Sequence, residues 1–264
     1  MGEGNEKLSG LDDFFRKAGG ALVAFSGGCD SSFLLARAHA VLPERVAGVT
    51  VASGFYPPWE LGNAKRFADK TGVRHIIVPV HVLGEEKVAS NPVDRCYHCK
   101  KGIFTRLWEV ARSEGMPVLV DGTNASDSRD YRPGSRALLE LGVSSPLRDL
   151  GITKEEVREF SREMGLPTWN AEPQSCFATR FPYGTRITGE KLFAVQCAEE
   201  KLRGLGFANL RLRCHGDLAR LEVPEGEVER AAGQLREKVL AIIRECGFKY
   251  ASIDLGGYRF GSMD

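Results

Sequence analysis

The chain has 264 residues, 42% of them apolar, enough to bury the core of one large or two modest domains. Its 36 basic residues are matched by 35 acidic ones, so no overall field draws it to nucleic acid or to an anionic membrane, and any basic site must be local. The opening MGEGNEKLSGLDDFF lacks a basic-then-apolar signal pattern, and no stretch approaches the roughly 20 apolar residues of a membrane span. A cytoplasmic location is therefore expected, in which seven cysteines, an odd number, serve as free thiols, metal ligands or sulfur-transfer groups.

The first predicted element is a strand over 22–25, followed by Ser-Gly-Gly and a helix over 31–41. Between them Ser26, Gly27, Gly28, Asp30 and Ser31 spell S-G-G-x-D-S. Glycines allow close approach of backbone to an anion, and the free amides of a helix start favour phosphate. The lysine of a Walker loop is missing, and an acid in a phosphate nest makes chemical sense as a partner for a bridging Mg2+. The bland alternative is a turn that uses glycine only for its geometry.

β-branched runs follow at 45–53, 73–82 and 117–124, alternating with helical patterns at 59–72 and 100–115. Strands alternating with helices predict an α/β fold with a parallel sheet covered on both faces. The stretch 153–165 opens with Thr153 and Glu156 at capping-box spacing and predicts a helix burying Val157, Phe160 and Met164. This places a first domain at 1–170 and a small α+β domain at 171–264. In the latter, a helix over 190–204, a hairpin over 209–224 turning at His215-Gly216-Asp217, a helix over 228–247 and a strand over 250–255 are expected.

Cysteine carries the other chemical signal. Cys176 lies in QSCFATRFPYGTRIT, where Arg180 and Arg186 favour a thiolate. Cys96 and Cys99 form C-x-x-C just ahead of a predicted helix start, flanked by Arg95, Lys100 and Lys101, spaced to share a metal, dock a cluster or form a redox disulfide. Adding Cys176 gives three thiols, which would leave one iron of a 4Fe-4S cluster open. Cys29, Cys197, Cys214 and Cys246 read as small buried hydrophobes. Alternation puts Arg211 and Arg213 on one strand face, opposite Leu210 and Leu212, as a phosphate clamp, with Arg180 suited to a carboxylate or α-phosphate and Glu199, Glu222 and Asp254 as partners. An exposed basic strand face and solvated acids are the competing reading.

S-G-G-x-D-S after the first strand resembles the pyrophosphatase (PP) loop of the N-type ATP pyrophosphatases, which include GMP, NAD and asparagine synthetases and tRNA-thiolating enzymes. That resemblance implies adenylation by ATP with Mg2+, and nucleotide contacts from Ser26, Gly27, Gly28, Asp30, Ser31, Ser53, Gly122, Thr123 and Asp127. DGTN at 121–124, DYRPG at 130–134, RFPYGT at 180–185, AEEKLRGLGF at 198–207 and DLGGYRFG at 254–261 together resemble the LarE family from about residue 10 to the end. The resemblance implies thiolation of pyridinium-3,5-biscarboxylic acid mononucleotide in nickel-pincer cofactor biosynthesis, and a homo-oligomer, a hexamer built from trimers. It implies either a sacrificial Cys176, converted to dehydroalanine, or a 4Fe-4S cluster on Cys96, Cys99 and Cys176 that delivers a bound sulfide. Asp127, Asp130 and Arg132 match the family's pattern, while Ser128 departs from it. A tRNA thiolase, an ammonia-using ligase and a non-catalytic nucleotide or iron-sulfur binding protein are the alternatives.

Overall fold

The computed structural model describes residues 3–129, 133–172, 175–207 and 209–258. It separates into two compact units, Met1–Val82 with Asp94–Gln174, and Leu83–Val93 with Ser175–Asp264.

The first unit contains α1 (Glu3–Ala18), β1 (Ala21–Ala24), α2 (Cys29–Val41), β2 (Val46–Ala52), α3 (Pro58–Thr71) and β3 (Arg74–Pro79). After a one-turn helix α4 (Glu86–Ala89) that packs in the second unit, it continues with α5 (Arg95–Ser113), β4 (Val118–Val120), α6 (Pro133–Glu140), α7 (Pro146–Asp149) and α8 (Lys154–Glu163). The four strands form a parallel sheet in the order β3-β2-β1-β4. The direction of winding reverses between β1 and β4, and such a switch point leaves a crevice beyond the carboxyl ends of the strands. β1 and most of β2 are buried, which is why their sequences read as continuous apolar runs.

α8 has the expected capping box: Thr153 Oγ1 accepts from Glu156 N, and Glu156 accepts from Thr153 N. Its buried face is Val157, Phe160 and Ser161, with Phe160 stacked on Phe33 of α2. Met164, expected inside, is 37% exposed, because the helix has ended by Glu163. The helix expected near residue 100 begins at Arg95, so the C-x-x-C occupies its first turn rather than preceding it.

The second unit contains α4, α9 (Gly189–Arg203), β5 (Arg211–His215), β6 (Leu218–Glu222), α10 (Val228–Ala232), α11 (Arg236–Glu245) and β7 (Tyr250–Ile253). β5 and β6 form the expected antiparallel hairpin, and β7 adds parallel to β6. The single helix expected over 228–247 is broken at Gly233, where φ −107° and ψ −89° are not helical. The segment Leu83–Val93 packs here through specific bonds. Asn91 Nδ2 donates to the carbonyls of Phe181 and Pro182, and the amides of Gly184 and Ile187 donate to the carbonyls of Asn91 and Ala89.

Candidate functional site

The S-G-G-x-D-S turn joins the carboxyl end of central strand β1 to the start of α2. Gly27 has φ +80°, and a Cβ there would lie 3.2 Å from the backbone nitrogen of Ala64 in α3, so side chains are excluded twice over. Two serines fix the loop: Ser31 Oγ accepts from Ser26 N at 3.2 Å, and the Ser26 and Ser31 hydroxyls are 3.1 Å apart. Gly28 is the N-cap and, as glycine, offers no side-chain cap to the first amides of α2, while its own amide donates to Ser26 Oγ at 3.4 Å. Cys29, the variable position of the motif, is buried beside Ser161 and the Trp169 carbonyl, and burial pushes its thiol pKa up. It is an inert packing residue.

The loop after β4 closes on this turn. A Cβ at Gly122 would sit 3.0 Å from Ser31 N and 3.2 Å from Ser31 Cα, so only glycine allows the two backbones to meet so closely. Asn124 Nδ2 donates to Asp30 Oδ1 at 3.1 Å, while Asp127 accepts from Asn124 N and Thr123 donates to Asp121. Ser53, just past the end of β2, accepts from Phe55 N. Residues expected to touch nucleotide thus line the carboxyl ends of β1, β2 and β4. Asp130 and Arg132 lie outside the described residues.

Sequence reading missed Lys154. Packing of α8 on α2 delivers its ammonium to Asp30, Nζ to Oδ2 at 2.5 Å, with both side chains about a quarter exposed. The loop that lacks a Walker lysine receives one from a helix more than a hundred residues away. A signal was available: Lys154 is the first residue of α8, where a cation opposes the helix dipole.

The C-x-x-C is held by its intervening residues. Tyr97 Oη donates to Glu140 at 2.7 Å, Lys101 Nζ donates to Tyr97 Oη at 2.8 Å, and the Arg136 guanidinium lies over the Tyr97 ring at 3.9 Å. Hydrogen bonds from Tyr97 and then Lys101 hold the Glu140 carboxyl below its ordinary range. Buried Arg95 donates to Cys96 Sγ at 3.6 Å, and Cys96 is exposed while Cys99 is half-buried. Cys96 and Cys99 belong to the first unit and Cys176 to the second. Among the described residues no three His, Cys, Asp or Glu side chains are gathered to hold a metal ion.

In the second unit Cys176 is the N-cap of a 3-10 turn over Phe177–Arg180 and is half-buried. Its carbonyl accepts from Thr179 N, Thr179 Oγ1 and Arg180 Nη1. The same Nη1 donates to the carbonyl and hydroxyl of Ser175, while Nε and Nη2 grip both oxygens of Glu199 at 2.8 and 3.1 Å. Arg180 and Glu199 are 1% and 0% exposed, so this pair is an internal strut beneath the cysteine turn, not a solvated face.

The arginines of β5 are also buried, so the competing reading of an exposed basic strand face does not hold. Arg213 grips Glu222 through two bonds of 2.9 Å. Asp254 pairs instead with Arg220, at 3.6 Å. Arg211 differs. Its bonds run to Ser175 Oγ (3.2 Å), the Leu210 carbonyl (2.8 Å) and Tyr258 Oη (3.5 Å), with the Tyr258 ring 4.9 Å away. No carboxylate among the described residues pairs with it, and burial, then the nearby Arg180 charge, lowers its pKa. A buried cation bound by neutral acceptors keeps an uncompensated charge, which is the chemistry that an anionic group would match. Ser175, bound by two guanidiniums and adjoining Cys176, was also missed, since nothing in its spacing marks it.

A family model described as asparagine synthase matches residues 19–107, the span containing the glycine turn. The chain is 35% identical to pyridinium-3,5-bisthiocarboxylic acid mononucleotide synthase of Lactiplantibacillus plantarum over 92% of its length and 88% of that protein. It is 38% identical to an uncharacterized protein of Synechocystis over 98% of this chain and 97% of the other. One chain of the glutamine-hydrolyzing GMP synthase of Thermococcus kodakarensis is 31% identical over 56% of this chain and 52% of its own.

Proposed function

The chain belongs to the LarE family of ATP-dependent sulfurtransferases, and from that premise we propose that it adenylates a carboxylate of pyridinium-3,5-biscarboxylic acid mononucleotide and converts it to a thiocarboxylate for a nickel-pincer cofactor. The observation that carries the reading is Arg211, a buried guanidinium with no carboxylate partner among the described residues, bonded to the serine that adjoins Cys176. It suits a substrate bearing a phosphate and two carboxylates.

A carboxylate resists sulfur attack until its oxygen becomes a leaving group. Its oxygen attacks the α-phosphorus of ATP, the α–β bond breaks, and pyrophosphate departs. The loop amide at Gly27, the first amides of α2, the Ser26 and Ser31 hydroxyls and Lys154 are the donors for the phosphates. Asp30 would hold Mg2+, which neutralises the departing pyrophosphate when bound. Lys154 then exchanges its partner, from Asp30 alone to Asp30 and phosphate. Sulfur attacks the acyl carbon, and AMP leaves.

Two sulfur sources fit the thiols. In the first, Cys176 attacks, its Cβ–S bond then breaks with loss of the α-proton, and dehydroalanine remains. In the second, Cys96, Cys99 and Cys176 would hold a 4Fe-4S cluster, which when bound supplies an exchangeable sulfide. The i, i+3 spacing of Cys96 and Cys99 on α5 supports two adjacent ligands. Exposed Phe193, Tyr250 and Leu255 on the second unit support assembly as a homo-oligomer.

The test is turnover with ATP, Mg2+ and the mononucleotide under anaerobic conditions. Pyrophosphate release and a thiocarboxylate product are expected, and Cys176→Ala is expected to release pyrophosphate without product. A loss of about 34 Da from the intact chain identifies the sacrificial route, and unchanged mass with bound iron the cluster. No pyrophosphate in the presence of substrate rejects the proposal.

A further inference from the structure

Two cysteines of the second unit take no part in this chemistry. Cys197 lies on α9 and Cys246 caps the end of α11. Packing of the two helices brings their sulfurs to 3.1 Å, with the Cys246 thiol donating to the Cys197 sulfur. A disulfide is about 2.0 Å long, so about 1 Å of approach closes the pair.

The two thiols are not equivalent. Burial, then the Cys197 sulfur, pushes the Cys246 pKa up to about 12, which keeps the proton on Cys246 and leaves half-buried Cys197 as the more accessible sulfur. Lys201, one turn along α9 from Cys197, carries its charge near both sulfurs, and its ammonium is anchored at 2.6 Å by Glu245, the neighbour of Cys246, whose charge opposes it at Cys246.

We propose that Cys197 and Cys246 are a dithiol that low-molecular-weight disulfides close to an intramolecular bond, fixing α9 to α11. The Cys197 thiolate attacks the small disulfide and expels one small thiolate. Cys246 then gives its proton to solvent and attacks Cys197 Sγ, expelling the second. Two protein thiols and one small disulfide become one protein disulfide and two small thiols, so atoms and electrons balance. α9 also carries Glu199, the support of Arg180 beneath the Cys176 turn, so the bond braces that helix without consuming Cys176.

The full-length reduced protein is treated anaerobically with oxidised glutathione, alkylated, digested and analysed by mass spectrometry, with a thermal melt in parallel. A peptide pair joined through Cys197 and Cys246 is expected, about 2 Da lighter than the separate peptides, with a melting midpoint raised by about 5 °C. Cys197→Ala should show neither change. Cys246→Ser should accumulate a glutathione adduct on Cys197 that the wild-type chain resolves. Recovery of Cys197 and Cys246 from the wild-type chain as separate alkylated or glutathionylated peptides overturns the proposal, as does equal adduct at Cys197 in wild type and Cys246→Ser.

Discussion

The two units handle charge in opposite ways. In the first, the acid of the glycine turn meets a lysine at the surface, and both side chains stay about a quarter exposed. In the second, Arg180 with Glu199 and Arg213 with Glu222 are almost wholly out of water. An exposed pair adds little stability and exchanges partners readily, whereas a buried pair holds its geometry and is costly to break. The first arrangement suits a site whose ligand, a polyphosphate, must come and go. The second suits a rigid mount for the Cys176 turn, and within it Arg211 is the exception, with no carboxylate partner among the described residues.

Breaking the buried strut should have the larger effect on stability. Glu199→Ala strands Arg180 and frees the Leu212 amide it also accepts from, so a loss of about 3–5 kcal/mol in chemical denaturation of the full chain is expected. A loss below about 1 kcal/mol would place the strut with the surface pairs.

Arg211→Met sharpens the contrast from the other side. It removes a buried cation lacking a carboxylate partner among the described residues, so the melting temperature should hold or rise, while kcat/KM for the anionic substrate falls about 10- to 100-fold, the loss of one charge-assisted contact. A destabilised variant with unchanged kinetics would assign Arg211 to structure alone.

Lys154→Met tests the exposed pair. Stability should stay within about 1 kcal/mol of wild type, and the KM for ATP should rise about tenfold as a phosphate contact is lost. Equal KM values would remove Lys154 from the nucleotide site.

The smallest effect belongs to the α8 capping box that positions Lys154. Burial acts to raise the Glu156 pKa, but hydrogen bonds from Lys7 and the Thr153 amide outweigh it and leave the carboxyl below its ordinary 4.5. The contribution is present above the unfolded value and lost as pH falls through the lower folded one. Glu156→Ala should therefore cost about 1 kcal/mol at pH 7 and converge with wild type in acid, as denaturation at the two pH values would show.

Much of the fold was legible because its signals are local. The βαβ rhythm, the capping box at Thr153 and the hairpin turning at Gly216 each depend on neighbours in the chain. So did the glycine turn, since a strand, two glycines and a helix start are neighbours in the chain. What failed has causes just as specific: the C-x-x-C lies inside α5 because Tyr97, between the two cysteines, anchors that first turn to Glu140 of α6. Gly233 lies inside the stretch expected as a single helix and ends α10 instead.

The sequence by itself determined which groups exist and which backbone presents them: the S-G-G-x-D-S turn, Cys176 in its arginine-rich loop, and acids enough to pair with the arginines. Tertiary structure alone decided which of them meet. Lys154 reaches Asp30 only because α8 stacks on α2, and Arg211 has no carboxylate partner among the described residues because Glu199 and Glu222 are taken by Arg180 and Arg213. Hydrophobic pattern and helix propensity are properties of short windows. Pairing between charges depends on distance and burial, and those are set when elements far apart in sequence pack together.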